Sequence, residues 1–160
     1  MTSGEAPPKR RGRPRREGAD EELVSAALAL LRERGYRDFT VDAVAERTGI
    51  AKTTIYRRWP TKGALAAAAI APLVALPSER DVTALLEAMR ARLAGEWGAT
   101  IGALAADGID VLGRDAFRHL VDDELTIDLL TGPLWTRLLV TREPLEEGLP
   151  AAIVARLRLR

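Results

Sequence analysis

Apolar residues recur every three or four positions along most of this chain, and glycine, proline and threonine punctuate the runs. Leu23, Ala26, Ala27, Leu30 and Leu31 share one face of a helix that begins at Ala19. Asp20, Glu21 and Glu22 sit in its first turn, where the helix dipole favours negative charge. Gly35 is placed to end it in a left-handed cap. Thr40 is the N-cap of a short second helix, with Asp42 in its first turn and Val41, Val44 and Ala45 inward. Gly49 breaks that helix. A third short helix spans residues 51–59, with Ile55 and Trp59 one turn apart, and Pro60 stops it. Thr61 caps a fourth, which runs through a string of alanines toward Pro72.

Pro77 and Ser78 mark a linker or sharp turn. From Asp81 the helical period resumes on Val82, Leu85, Leu86, Met89 and Leu93. Five glycines between Gly95 and Gly113 blur the boundaries that follow. Residues 124–140 read as a helix pair, or as one helix kinked at Gly132–Pro133. Residues 146–159 read as a last amphipathic helix on Leu149, Ile153, Val154 and Leu157. No segment alternates with period two for long, so the expected class is all-α.

Charge divides the chain. Residues 1–18 are rich in proline, glycine and arginine, carry a net +4, and are expected to be a disordered basic arm. Residues 19–70 carry +1 and residues 71–160 carry −4. A basic head on an acidic body suits a polyanionic partner, although basic tails also serve solubility. There is no cysteine, which excludes disulfides and thiolate chemistry. No secretory signal and no run of about 20 apolar residues is visible, so the expected location is cytoplasmic, away from any membrane. His119 is the only histidine. That excludes a histidine-rich metal site, no motif marks a serine triad around it, and no metal, cofactor or enzymatic activity is expected.

Two short helices joined by a glycine turn, "TVDAVAERTG-IAKTTIYRRW", have the layout of a helix-turn-helix. In that layout Ile50, Ile55 and Trp59 anchor the second helix, and Lys52, Thr53 and Thr54 lie at its exposed start, facing base edges. Lysine donates to guanine O6 and N7, and a threonine methyl packs on the thymine methyl. Tyr56, Arg57 and Arg58 are placed to reach phosphates, which fix register without reading sequence. The same spacing also fits a small helical core with a solvated basic face.

The run "ALALLRERGYRDFTVDAVAERTGIAKTTIYRRWPTKGAL" (27–65) resembles the DNA-binding domain of TetR-family transcriptional regulators, most specifically in "YRRWPTK" (56–62). The likeness is good over residues 19–70 and falls away afterwards. It implies a three-helix DNA-binding domain followed by a helical dimerisation and ligand-binding domain. It further implies a homodimer that represses by binding a palindromic operator in double-stranded DNA and is released by a small apolar ligand. By the same likeness Thr40, Tyr56 and Lys62 correspond to phosphate contacts, and Lys52, Thr53 and Thr54 to base-facing positions. Two positions depart from the family pattern: Ala51, where many members carry serine, and Gly63, where an acidic residue is common.

Before the head lies "KRRGRPRR" (9–16), whose Arg11-Gly12-Arg13-Pro14 is similar to the core of an AT-hook. Arg10, Arg11, Arg13, Arg15 and Arg16 would then enter a narrow A·T minor groove. Behind the head, residues 127–157 look like the two helices through which one subgroup of the family dimerises. Leu129, Leu130, Leu134, Leu138, Ile153 and Leu157 are the expected interface. An intramolecular helical core explains the same pattern. A helix that usually precedes this pair is missing between "FRHLV" (117–121) and "DDELTIDLL" (122–130), so the body is shortened. Met89, Trp97, Leu104, Phe117 and Trp135 are candidate pocket residues, although apolar residues at helical spacing are more often plain core. The leading reading is a homodimeric repressor. The alternatives are a ligand-independent architectural binder of A·T-rich DNA and a small-molecule-binding helical dimer with a vestigial DNA head.

Overall fold

A computed structural model describes residues 18–157. All regular structure among them is helical: α1 (Ala19–Asp38), α2 (Val41–Thr48), α3 (Lys52–Arg58), α4 (Lys62–Val74), α5 (Val82–Ala94), α6 (Gly98–Ala106), a 3₁₀ turn (Arg114–Phe117), α7 (Glu124–Thr136), a π-turn (Arg137–Thr141) and α8 (Leu149–Leu157). The basic arm lies outside the described residues.

The head, α1 to α4, follows its own local signals. The Thr40 and Thr61 hydroxyls accept from the N–H of Ala43 and Ala64, at 3.2 and 3.0 Å. Each satisfies one of the donors that a helix start leaves open. Leu23, Leu30, Val44, Ile55 and Leu65 are fully buried between the four helices. Gly35 has the positive φ expected of it, but the chain is not released there. After the kink a last turn continues to Asp38 and buries Tyr36. Trp59 lies just past α3 in extended conformation, half-buried, so Ile55 is the helix's central anchor.

In the body, packing overrides local signals. Of the two readings of residues 124–140, a helix pair or one helix kinked at Gly132–Pro133, the structure has a single helix there: α7 runs through Pro133. Ile127, Leu130, Thr131 and Leu134 bury its inner face, and that tertiary packing holds the helix across the missing N–H donor. The irregularity appears one turn later, as the π-turn. The last helix begins at Leu149 rather than at residue 146, because Gly148 before it has a positive φ and Pro150 suits a first helical turn. Between α5 and α6, a Cβ on Gly98 would meet the Leu93 carbonyl oxygen, so only glycine allows that approach. One apolar core runs without interruption from Leu23 in α1 to Ile153 in α8.

Head and body meet at the end of α1. The Tyr36 hydroxyl donates to the Asp107 carboxylate at 2.6 Å, and the Lys62 ammonium lies 4.6 Å from the Tyr36 ring centre. Gly63, which departs from the family pattern, lies against Ile109, Tyr36 and Leu104, and a Cβ there would collide with Ile109. Glycine costs a helix roughly 1 kcal/mol, and here it leaves room for the end of the Ile109 side chain against α4. Nearby, Arg32 pairs with Glu96 at 3.3 Å and covers the Trp97 ring at 5.5 Å.

Candidate nucleic-acid interface

The turn between α2 and α3 is built from three residues. Gly49 takes φ +66°, which redirects the chain at the end of α2. The Thr48 hydroxyl donates to the Val44 carbonyl at 2.8 Å and accepts from the Ile50 N–H at 3.3 Å. Ile55, fully buried, fixes one face of α3 in the core. The opposite face therefore points outward. Lys52 and Thr53 are exposed and Thr54 is half-buried, at the start of a helix that no side chain caps.

The cations near α3 are in three different situations. Arg57 is exposed, and its side chain has no ion-pair or hydrogen-bond partner among the described residues. Lys52 is paired with Asp42 of α2, Nζ to Oδ2 at 2.8 Å, and the Asp42 carboxylate holds its pKa above the ordinary lysine value. Arg58, largely buried, pairs with Asp20 in the first turn of α1. Tyr56 is 46% exposed beside them, and its hydroxyl has no hydrogen-bond partner among the described residues. Thr40 is exposed, and its hydroxyl proton remains available while its oxygen caps α2.

Lys62 is engaged at the end of α1. Its ammonium donates to the carbonyls of Tyr36 and Arg37 at 3.2 and 3.5 Å and covers the Tyr36 ring. It neutralises the carbonyl end of α1, and a phosphate would have to replace those contacts. Arg47, which the sequence did not single out, braces α1 to α2 through a two-pronged pair with Glu33, at 2.8 and 2.7 Å. Tyr36 and Asp107 are likewise absent from the sequence reading, and Asp20 and Asp42 enter it only as first-turn residues, since each acts on a partner that only folding brings near.

The other candidate residues are dispersed. Leu130, Leu134 and Ile153, expected at a subunit interface, are buried inside the subunit, where a partner helix would not reach them without opening the core. Leu138 and Leu157 are half-buried. Leu129 is 49% exposed and shares the outer side of α7 with Leu125, 67% exposed; Val140 in the π-turn is 74% exposed. Met89, Phe117 and Trp135 share one cavity of about 10 Å³, room for a single water, which Trp97 and Leu104 do not line. Arg114 pairs with Glu124 and Asp128, and Arg118 with Asp115 and Glu124, so much of the acidic surface near His119 is neutralised.

A capped helix, a left-handed glycine turn and a second helix anchored on one face and polar on the other define a helix-turn-helix regulator. Comparison with known proteins agrees. Residues 23–69 match the model of the bacterial regulatory proteins of the tetR family. The HTH-type transcriptional regulator YdeS of Bacillus subtilis is 30% identical over 173 residues, covering 87% of this chain and 87% of its own length. The DNA-binding transcriptional repressor TetR of Mycobacteroides abscessus is 46% identical over 48 residues, 30% of this chain and 25% of that protein. The crystal structure of the TetR family transcription regulator SCO0332 superposes with a TM-score of 0.59 at 27% identity, covering 88% of this chain and 97% of the solved one. The chain belongs to the TetR family of transcriptional regulators, a non-enzymatic class. No helix among the described residues is long and apolar enough to cross a membrane.

Proposed function

We propose that the protein is a repressor that binds a palindromic operator as a homodimer. Lys52, Thr53 and Thr54 meet base edges, while Thr40, Tyr56 and Arg57 hold phosphates. Arg58 and Lys62, expected at phosphates, act instead on Asp20 and on the end of α1, and so position the recognition helix. The observation that carries this reading is the two-sidedness of α3: Ile55 fully buried, with Lys52 and Thr53 exposed on the other side. The arginines of residues 10–16 serve as a minor-groove arm. Dimerisation falls to the outer side of α7, where Leu125 and Leu129 expose apolar surface beside an open groove of about 440 Å³ floored by Leu129, Gly132 and Pro133 and edged by the charged Asp128, Arg137 and Glu143. Exposed apolar patches of this kind mark interaction surfaces. The test is selection of bound duplexes from a random pool. The expected product is an inverted repeat, and a product without symmetry or an unenriched pool contradicts the reading.

A second reading removes the ligand. Drug-sized pockets enclose about 300–1,000 Å³; the cavity at Met89, Phe117 and Trp135 encloses about 10 Å³, and the open clefts beside Ile109 and Trp135 and beside Gly102 and Leu138 hold about 240 and 220 Å³. The alignment with YdeS spans 173 residues, more than the 160 of this chain, so that relative carries segments with no counterpart here. Both observations favour a regulator that no small molecule releases from DNA.

A further inference from the structure

We propose that Asp42 of α2 and Lys52 of α3 act as one unit that reads a G·C base pair, with Asp42 setting the specificity of the recognition helix. This rests on the reading of α3 as a base-facing helix and deepens it. The two residues are ten positions apart, and the Gly49 turn brings them to 2.8 Å. Their side chains are 66% and 54% exposed, so the pair is no part of the core. It joins the first turn of α2 to the first residue of α3 on the solvent-facing side.

A lone lysine here would be a mobile point charge beside a polyanion, drawn to the nearest phosphate. The carboxylate changes that in two ways. To reach a phosphate, Lys52 must leave Asp42, and Asp42 then faces the negative backbone without its cation. Binding to arbitrary DNA is mostly phosphate neutralisation, so Asp42 weakens it. The pair also presents a donor beside an acceptor. Guanine offers two neighbouring acceptors, O6 and N7, which suit an ammonium; the paired cytosine offers the N4 donor, which suits a carboxylate. An A·T pair places its single donor between two acceptors, with the thymine methyl crowding one side, and matches less well.

Selection from a random pool, repeated with the wild type, Asp42→Asn and Lys52→Ala, tests this, together with salt-dependent binding to random DNA. Asparagine keeps the shape of the aspartate, and an unchanged thermal melt confirms the fold. The wild type is expected to yield an inverted repeat with a fixed G·C pair in each half-site. Asp42→Asn should keep the repeat, relax that one position, and lower the ratio of operator to random-DNA affinity about tenfold or more. Its salt slope on random DNA should steepen by about 0.9 as Lys52 takes a phosphate. Equal losses on operator and random DNA, a preference unchanged in Asp42→Asn, or a wild type that fixes A·T rather than G·C at that position would each overturn the proposal while leaving the DNA-reading function intact. A wild type that enriches no repeat would overturn that function, and this proposal with it.

Discussion

The head and the body differ in what fixes their helices. In the head, each short helix is delimited by its own residues: Thr40 and Thr61 cap, Gly49 turns, and Ile55 anchors. In the body, helix limits follow from what packs against what. Gly98 lies against the Leu93 carbonyl, Pro133 sits inside α7, and Gly102 lies within contact distance of Leu138 and Leu139. A fold specified locally keeps its outer face free for binding, whereas a fold specified by packing leaves little room for a ligand. The two halves still share one continuous core. They are expected to unfold together even though they are built differently.

The largest effect should come from that shared core. Ile55→Ala in the head and Leu134→Ala in the body each empty a fully buried site and should cost about 2–5 kcal/mol. Calorimetry should show one transition moving down in both variants. Two transitions, with only one displaced, would separate the halves. Next, Leu129→Glu should leave the melt nearly unchanged while producing monomers in sedimentation velocity. Operator affinity should then fall by at least about tenfold, because the second half-site loses its high effective concentration. An intact dimer would remove α7 from the interface.

The smallest effect concerns the joint between the halves. Burial, and then the hydrogen bond to Asp107, raise the Tyr36 pKa well above the ordinary tyrosine range. The fold therefore favours the protonated phenol. Its contribution is complete below the unfolded value of about 10 and is lost as pH rises beyond it. Tyr36→Phe should cost about 1 kcal/mol at neutral pH and flatten the loss of stability above pH 10 or so. A variant whose alkaline profile matches the wild type would show that the phenol does not link head and body.

The head was legible because short capped helices announce their limits, and because Lys52, Thr53 and Thr54 fall at the exposed start of α3 whatever else packs nearby. Its ion pairs were not legible. Asp42 reads locally as a residue of a helix's first turn, and Asp20 likewise; that each faces a cation on α3 depends on the turn and on the α1 packing. Lys62 matched a phosphate-contact position in sequence, yet the nearby carbonyl end of α1 gives it partners within the fold. In the body, periodicity marked Leu129, Leu130 and Leu134 as apolar without saying which side of α7 faces inward. Three-dimensional packing divides them, with Leu130 and Leu134 inside and Leu129 outside.

Two copies of the α3 face, held together through α7, are proposed to read one operator. Sedimentation velocity of the wild-type chain on a selected duplex counts the copies. Two chains per duplex are expected, falling to one for Leu129→Glu at the same protein concentration. A single wild-type chain on each duplex, or two chains with Leu129→Glu, would contradict this reading.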